Sequence, residues 1–429
     1  MFCYQCEQTA QGTGCTKVGV CGKNEDVASL QDTLVIAMKG IAAYGYHAGE
    51  LGVTDPEVDA FLHEGLFSTL TNVDFDSGRF INLNLKAGKM CYQVMELLDK
   101  AHTKRFGNPV PTEVFTGTVA GHGILITGHD LLDLQELLQQ TKGRGVNIYT
   151  HGEMLPAHGY PELKKYPHLV ANWGGSWVNQ KSEFDDFPWA ILGCTNCVVK
   201  PRDSYQDRMF TCGIAGLEGV THITDRNFEP VIQKALQLPA LISSQEGKKI
   251  TTGFHHTNVL SLAGKIVDAV KQGKIRHFFL VAGCDCPGNS MEYYTKLVRA
   301  IPKDCVILTL ACGKFRFNQE EFGDIDGIPR LIDLGQCNNA YSGIQIAVAL
   351  AGAFECGVND LPLSIVLSWF EQKAVAILLC LFHLGVKGIR VGPKPPAFVS
   401  PGVFKVLQDA FDLKLITSPE NDLAEILSN

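Results

Sequence analysis

Four cysteines open the chain, Cys3, Cys6, Cys15 and Cys21, in the pattern C-x2-C-x8-C-x5-C. Four thiolates at such spacing hold either a zinc ion or an iron–sulfur cluster. Zinc ribbons usually pair two C-x2-C knuckles and only one is present, so the spacing favours iron and sulfide. Gly12, Gly14 and Gly19, with Gly22 just beyond, let the backbone wrap closely round such a centre. Left without a metal, an exposed group of thiols would oxidise.

A second set of metal-capable residues is scattered along the chain: His129, Glu153, Cys197, Cys284, Cys312, Cys337 and Glu371. In turn they stand just past short β-forming runs at 123–127, 146–150, 190–193, 278–282, 306–310, 331–334 and 365–369. In parallel sheets the ligand crevice lies beyond the carboxyl ends of the strands, which is where these side chains fall. Four thiolates are soft donors suited to an iron–sulfur core, whereas one imidazole and two carboxylates are harder and suit individual iron ions. Such a mixture makes an asymmetric centre, whose oxygen-rich end can leave an iron open to a small molecule. Each residue also has an ordinary role: His129 beside a helix N-terminus, Glu371 as a first-turn acid, Glu153 as a solvated loop carboxylate. The shared location carries the argument. Among the other thiols, Cys91, Cys305, Cys356 and Cys380 lie in apolar stretches and read as small buried hydrophobes. Cys194, Cys212 and Cys286 can instead form a redox dithiol or a zinc site.

The elements that must position these residues follow from periodicity. From Asp26 to about Gly107, apolar residues recur at three- and four-residue spacing over 30–43, 58–66 and 83–104, which predicts a small helical bundle. From about Asn108 short β-rich runs alternate with helices, with further runs at 168–173 and 209–211 and a helix at 131–141. A more regular series begins near Lys248, adding runs at 250–254, 389–392 and 413–417 and helices at 259–271, 341–354 and 374–384. Strands alternating with helices predict parallel sheets covered on both faces. The expected fold is therefore multidomain α and α/β. A helical, Cys-rich segment at 1–107 precedes two Rossmann-like α/β domains at 108–247 and 248–429, with the second centre at their interface.

Composition narrows the class. The chain has 429 residues, of which 45% are apolar, 19% are charged and fifteen are cysteine. That suits a compact globular enzyme rather than a disordered chain. The net charge of −8 argues against a nucleic-acid partner. The longest apolar stretch, 374–385, is too short for a bilayer, so no membrane partner is expected. Many thiols and no secretory signal point to metal or redox chemistry in a reducing cytoplasm.

At these residues the sequence resembles the hybrid-cluster protein (prismane, hydroxylamine reductase) family. The matching segments are F-C-Y-Q-C-E-Q-T from Phe2, T-G-H-D-L from Thr127, T-H-G-E-M-L-P-A-H from Thr150 and T-N-C from Thr195. V-A-G-C-D from Val281, A-C-G-K-F-R-F from Ala311, G-Q-C-N from Gly335 and S-W-F-E-Q-K-A-V from Ser368 complete them in family order. The resemblance implies that Cys3, Cys6, Cys15 and Cys21 bind a 4Fe–4S cluster. It also implies that His129, Glu153, Cys197, Cys284, Cys312, Cys337 and Glu371 bind a hybrid 4Fe–2O–2S cluster, with Cys284 at a position that can carry a persulfide. Asn196 and Lys373 match positions beside that cluster, and His129, Glu153 and Lys373 are the expected proton donors.

The activity so implied is reduction of hydroxylamine to ammonia, with coupling of nitric oxide to nitrous oxide as a second reaction. Electrons would come from a ferredoxin- or flavin-type donor. One helical bundle is shorter than the family's longer members require, and dimerisation into a homodimer is the expected alternative cover for the site. Three rivals stand against this reading. The first is a non-catalytic, NO- or redox-responsive protein that nitrosylates partner thiols through accessible Cys194, Cys212 or Cys286. The others are a nickel-containing carbon monoxide dehydrogenase-like enzyme and a structural zinc protein.

Overall fold

The computed structural model describes residues 2–428. The chain groups into two compact units, one of Met1–Ala101 with Cys356–Asn429 and the other of His102–Glu355. The division at 107 and 247 by element type remains a proposal beside this grouping. No helix among the described residues is long and apolar enough to cross a membrane.

The first unit contains helices α1 (Glu25–Glu50) and α2 (Pro56–Ser68) and the start of α3 (Ser77–Phe106). Local chemistry sets their starts. The Asn24 side chain accepts from the Val27 N–H ahead of Glu25 and Asp26, and Asp55 caps α2 with Pro56 at its first position. Leu34, Ala37, Met38 and Ile41 form the buried stripe of α1 that the spacing predicts.

The second unit is built on strands. β1 (Thr112–Phe115) is followed by β2 (His122–Thr127), helix α4 (Leu131–Thr141), β3 (Val146–His151), β4 (Leu169–Asn172), β5 (Ala190–Gly193), β6 (Met209–Cys212) and β7 (Thr221–Ile223). Strands β2 to β7 form a parallel sheet in the order β4-β3-β2-β5-β6-β7. The chain works outward from β2 in one direction and then from β5 in the other, so the topological switch point lies between β2 and β5. Register puts Thr127 opposite both His151 and Gly193, so β2, β3 and β5 end at one level. Tyr149, Phe184, Phe187, Trp189 and Tyr205 fill one face of this sheet as fully buried side chains.

The later strands of this unit are β8 (Lys249–Thr252), β9 (His277–Gly283), β10 (Cys305–Thr309), a short hairpin of β11 (Asp324–Ile325) and β12 (Ile328–Pro329), and β13 (Leu331–Asp333). β10 pairs in parallel with β9 and with β13, and Thr309 faces Asp333. Two details depart from the sequence reading. The run at 250–254 does not begin a parallel series: β8 pairs antiparallel with β1, Val114 opposite Ile250. β1 is a four-residue strand just past Pro109 and Pro111, too short to give a periodic signal. The helix expected over 259–271 is interrupted at Leu262, which separates His256–Ser261 from Ala263–Lys271.

After Cys356 the first unit resumes with parallel strands β14 (Leu363–Ser368), β15 (Arg390–Gly392) and β16 (Lys414–Leu415). The helix Gln372–His383 follows β14 and starts against α1. A Cβ on Gly40 would meet the Lys373 Cα and the Gln372 carbonyl at 2.9 Å, so only glycine permits this approach. That contact fixes the turn carrying Glu371 and Lys373.

Candidate metal centres

In the second unit the strand ends bring the scattered residues together. A ring nitrogen of His129, a carboxylate oxygen of Glu153 and Sγ of Cys337 all lie within 4.8 Å of one another. His129 is oriented by the Thr195 hydroxyl, which accepts from its backbone N–H at 2.9 Å and sits 2.9 Å from its Nδ1. The other ring nitrogen, Nε2, therefore faces Glu153 Oε2 at 4.0 Å. A partner that engages one nitrogen and leaves the other toward a metal is how ligating histidines are usually held. Glu153 Oε2 also accepts from the Cys337 N–H at 2.9 Å.

Gln336 links these residues through the backbone. Its Nε2 donates to the carbonyl of His129 at 3.0 Å and to that of Glu153 at 2.7 Å, one residue before Cys337. The loop carrying Cys337 is anchored in turn by Lys314, whose fully buried ammonium donates to Asp333 at 3.1 Å and to the Gly335 carbonyl at 3.0 Å.

Cys197, Cys284 and Cys312 join the same cluster. A hydrogen bond with Cys197, then burial, then the charges of Glu153, Cys197 and Cys284 push the Cys312 thiol well up. Asn196 Nδ2 reaches Cys197 Sγ at 3.5 Å. Cys284 precedes Asp285, which is held by Ser176, by Arg316 Nε at 2.8 Å and by the Cys286 N–H at 2.9 Å.

One backbone feature recurs at these positions. Residues 128, 152, 283 and 311 each have positive φ and immediately precede His129, Glu153, Cys284 and Cys312; Cys197 itself has φ 70°. Three of those are glycines, but Ala311, at φ 63° and ψ −167°, occupies a region almost reserved for glycine. Strain of that kind, about 1–3 kcal/mol, concentrates at functional sites.

The donor set passes a chemical test. Buried thiols and a carboxylate crowded together repel one another as anions, and a cationic metal centre removes that repulsion. Soft sulfur on Cys197, Cys284, Cys312 and Cys337, with harder donors on His129 and Glu153, suits iron and sulfide better than a single hard cation. Glu153 is 3% exposed and not a solvated loop carboxylate.

In the first unit a short antiparallel bridge sets Cys3 beside Cys15: the Cys15 N–H donates to the Cys3 carbonyl at 2.7 Å and the Phe2 N–H to the Cys15 carbonyl at 2.8 Å. Backbone hydrogen bonds at Ala10 and Val20, with the charge of Lys23, hold the Cys15 thiol below its ordinary value. That is the electrostatics a metal-binding thiolate needs. Glu371 is half-buried as the N-cap of helix Gln372–His383, and its side chain makes no capping hydrogen bond. Lys373 is buried at 3% exposure, not a solvated early-helix lysine.

The remaining thiols behave differently. Cys91, Cys305 and Cys380 are buried as expected and Cys356 is half-buried. Cys194, Cys212 and Cys286 are also buried, so the accessible thiols that a nitrosyl-transfer role requires are not found at these positions. Burial, then the charge of Asp133, pushes the Cys194 and Cys212 thiols up, away from nucleophilic reactivity. Sequence reasoning did not single out Thr195, Gln336, Lys314, Asp333, Asp285 or Arg316. The signal was available in part, since most of them neighbour a candidate ligand in the chain.

Doubly wound parallel strands with sulfur, nitrogen and oxygen donors near their carboxyl ends are an arrangement suited to an iron–sulfur oxidoreductase. The profile of the Prismane/CO dehydrogenase family matches residues 1–84 and 76–424, and the chain belongs to that family. It is 70% identical over 427 residues to a hydroxylamine reductase of Moorella thermoacetica, each chain covered in full. A hydroxylamine reductase of Methanothermobacter thermautotrophicus is 55% identical over the same length, again with full coverage. One from Syntrophobacter fumaroxidans is 45% identical across 541 aligned positions, an alignment longer than this chain. Carbon monoxide dehydrogenase IV from Carboxydothermus hydrogenoformans shares the fold, with a TM-score of 0.78 at 15% identity, covering all of this chain and 92% of its own.

Proposed function

We propose that this chain reduces hydroxylamine to ammonia, NH2OH + 2 e− + 2 H+ → NH3 + H2O, with Cys197, Cys284, Cys312, Cys337, His129 and Glu153 as ligands of a hybrid 4Fe–2O–2S cluster. The observation that carries the reading is the convergence of imidazole, carboxylate and thiol at His129, Glu153 and Cys337 within 4.8 Å. The full-length relatives named hydroxylamine reductase support it. Glu371 as a seventh ligand, and a persulfide on Cys284, rest on the family resemblance. Cys3, Cys6, Cys15 and Cys21 would hold a 4Fe–4S cluster that receives electrons from a ferredoxin- or flavin-type donor.

When bound, the hybrid cluster would supply electrons and a Lewis-acidic iron. The protein's own part is positioning and proton supply. Thr195 fixes the His129 ring and Gln336 fixes the His129 and Glu153 backbones, so both polar side chains keep their geometry while charge changes nearby. Because His129 Nε2 and Glu153 Oε2 would bind iron, the two protons that N–O cleavage consumes are assigned to the Lys373 ammonium and to the second carboxyl oxygen of Glu153. The same pocket would admit nitric oxide, and its reductive coupling to nitrous oxide belongs to this proposal as a second activity. A homodimer is proposed as the assembly, supported by exposed Leu66, Phe67 and Leu70 on the short helical region; light scattering that gives a monomer mass would remove it.

Glu153→Ala and Cys312→Ala are expected to abolish hydroxylamine reduction driven by reduced methyl viologen while the spectroscopic signal of the N-terminal cluster persists. Undiminished turnover in either variant would refute the assignment.

A further inference from the structure

Beside the N-terminal cysteines lies a charge that the proposed reaction does not use. Lys23 follows Cys21 by two residues and is 2% exposed. A tight turn holds it there: the Gly22 N–H donates to the Gly19 carbonyl at 2.8 Å and the Gly19 N–H to the Lys23 carbonyl at 2.7 Å. On its other side Asn24 caps α1, so the Lys23 backbone is clamped between turn and helix. Its ammonium donates to Oε1 of Gln31, a fully buried residue on α1, and stands 3.9 Å from Cys3 Sγ. Gln31 Nε2 is itself buried, with no hydrogen-bond partner among the described residues.

A buried ammonium is costly unless negative charge lies beside it. Asp32 also feels the Lys23 charge and accepts from Gln5 Nε2 at 2.9 Å, while burial shifts its carboxyl upward. The cysteine sulfurs add compensating charge, Cys3 by direct approach to the Lys23 ammonium and Cys15 through its field. The arrangement makes sense if the sulfurs belong to a centre that becomes more negative when it takes up an electron. The potential of an iron–sulfur centre responds to net charge, hydrogen bonds to sulfur and exposure.

We propose that Lys23 sets the reduction potential of the N-terminal cluster: its fixed positive charge, buried against Cys3 and anchored by Gln31, stabilises the reduced form and so raises the potential. One electron enters the cluster and no proton moves. The inference rests on the reading of the N-terminal cysteines as cluster ligands.

Anaerobic redox titration of the N-terminal cluster, followed by electron paramagnetic resonance in the full-length protein, tests it. Lys23→Met is expected to shift the midpoint to a more negative potential, and Lys23→Arg to leave it near the wild-type value. Gln31→Glu, which places a carboxylate on the ammonium, is expected to shift it in the same direction as Lys23→Met, and it decides the matter if Lys23→Met fails to assemble. An intact cluster whose midpoint is unchanged in Lys23→Met or, failing that, in Gln31→Glu overturns the role of Lys23 alone. A wild-type protein with no cluster on these four cysteines overturns both this role and the reading beneath it.

Discussion

At the scale of single residues, the candidate ligands are ordinary side chains made unusual by their supports. Thr195 shows this most clearly, because one hydroxyl engages both the backbone and the ring of His129. Thr195→Val keeps the shape and removes both contacts, and changes of this kind beside a metal ligand typically lower affinity or activity roughly 10–100-fold. Hydroxylamine turnover and iron content should fall together, with Thr195→Ser restoring most of both; Thr195→Val at wild-type levels would show that the hydroxyl has no part in holding the ring. Legibility at this scale was uneven. Cysteine, histidine and glutamate announce metal chemistry by type, so all six second-unit candidates were visible in the sequence. Gln336 and Thr195 were not, because an amide or hydroxyl gains its role only from a fold that brings residue 336 to the carbonyls of residues 129 and 153.

At the scale of elements, strand register turns distant residues into one site. Thr127, His151 and Gly193 share a level across β3, β2 and β5, so the chain leaves all three strands at the same edge. The exits from β2 and β3 turn at once at positive-φ glycines, Gly128 and Gly152, and the segment after β5 turns at Cys197. Gly128 is the most demanding: at φ 132°, a Cβ would lie 2.5 Å from Cys194 Sγ and 2.6 Å from Thr195 Oγ1. Gly128→Ala should cost about 1–3 kcal/mol through overpacking, and it should displace Thr195 and with it His129. Iron quantitation is expected to show loss at the second centre with the N-terminal signal retained; full occupancy of both would contradict the geometric argument. Most elements were legible because their periods were long and regular, as in α1 and α4. β1 was not, since a four-residue strand beside prolines carries almost no periodic signal, and although the run at 250–254 marked β8, its antiparallel pairing with β1 depends on tertiary contact.

At the scale of the molecule, the sequence order of the metal-capable residues hides their grouping. The N-terminal cysteines pack in one compact unit with the segment after Cys356, while His129 through Cys337 lie in the other. A parallel α/β fold allows this, since each crossover returns the chain to the same sheet edge and adds a side chain to the same crevice. The family match falls into two segments that meet at 76–84, at the start of α3, and longer relatives align over more positions than this chain has. Two iron centres are proposed, one held by the N-terminal cysteines and one where His129, Glu153 and Cys337 converge. Diffraction from anaerobically grown crystals at the iron absorption edge measures that directly. It should show one group of anomalous peaks among Cys3, Cys6, Cys15 and Cys21 and a second among His129, Glu153, Cys197, Cys284, Cys312 and Cys337; a full-length, anaerobically prepared crystal with no iron peak beside His129 and Glu153 would contradict the account.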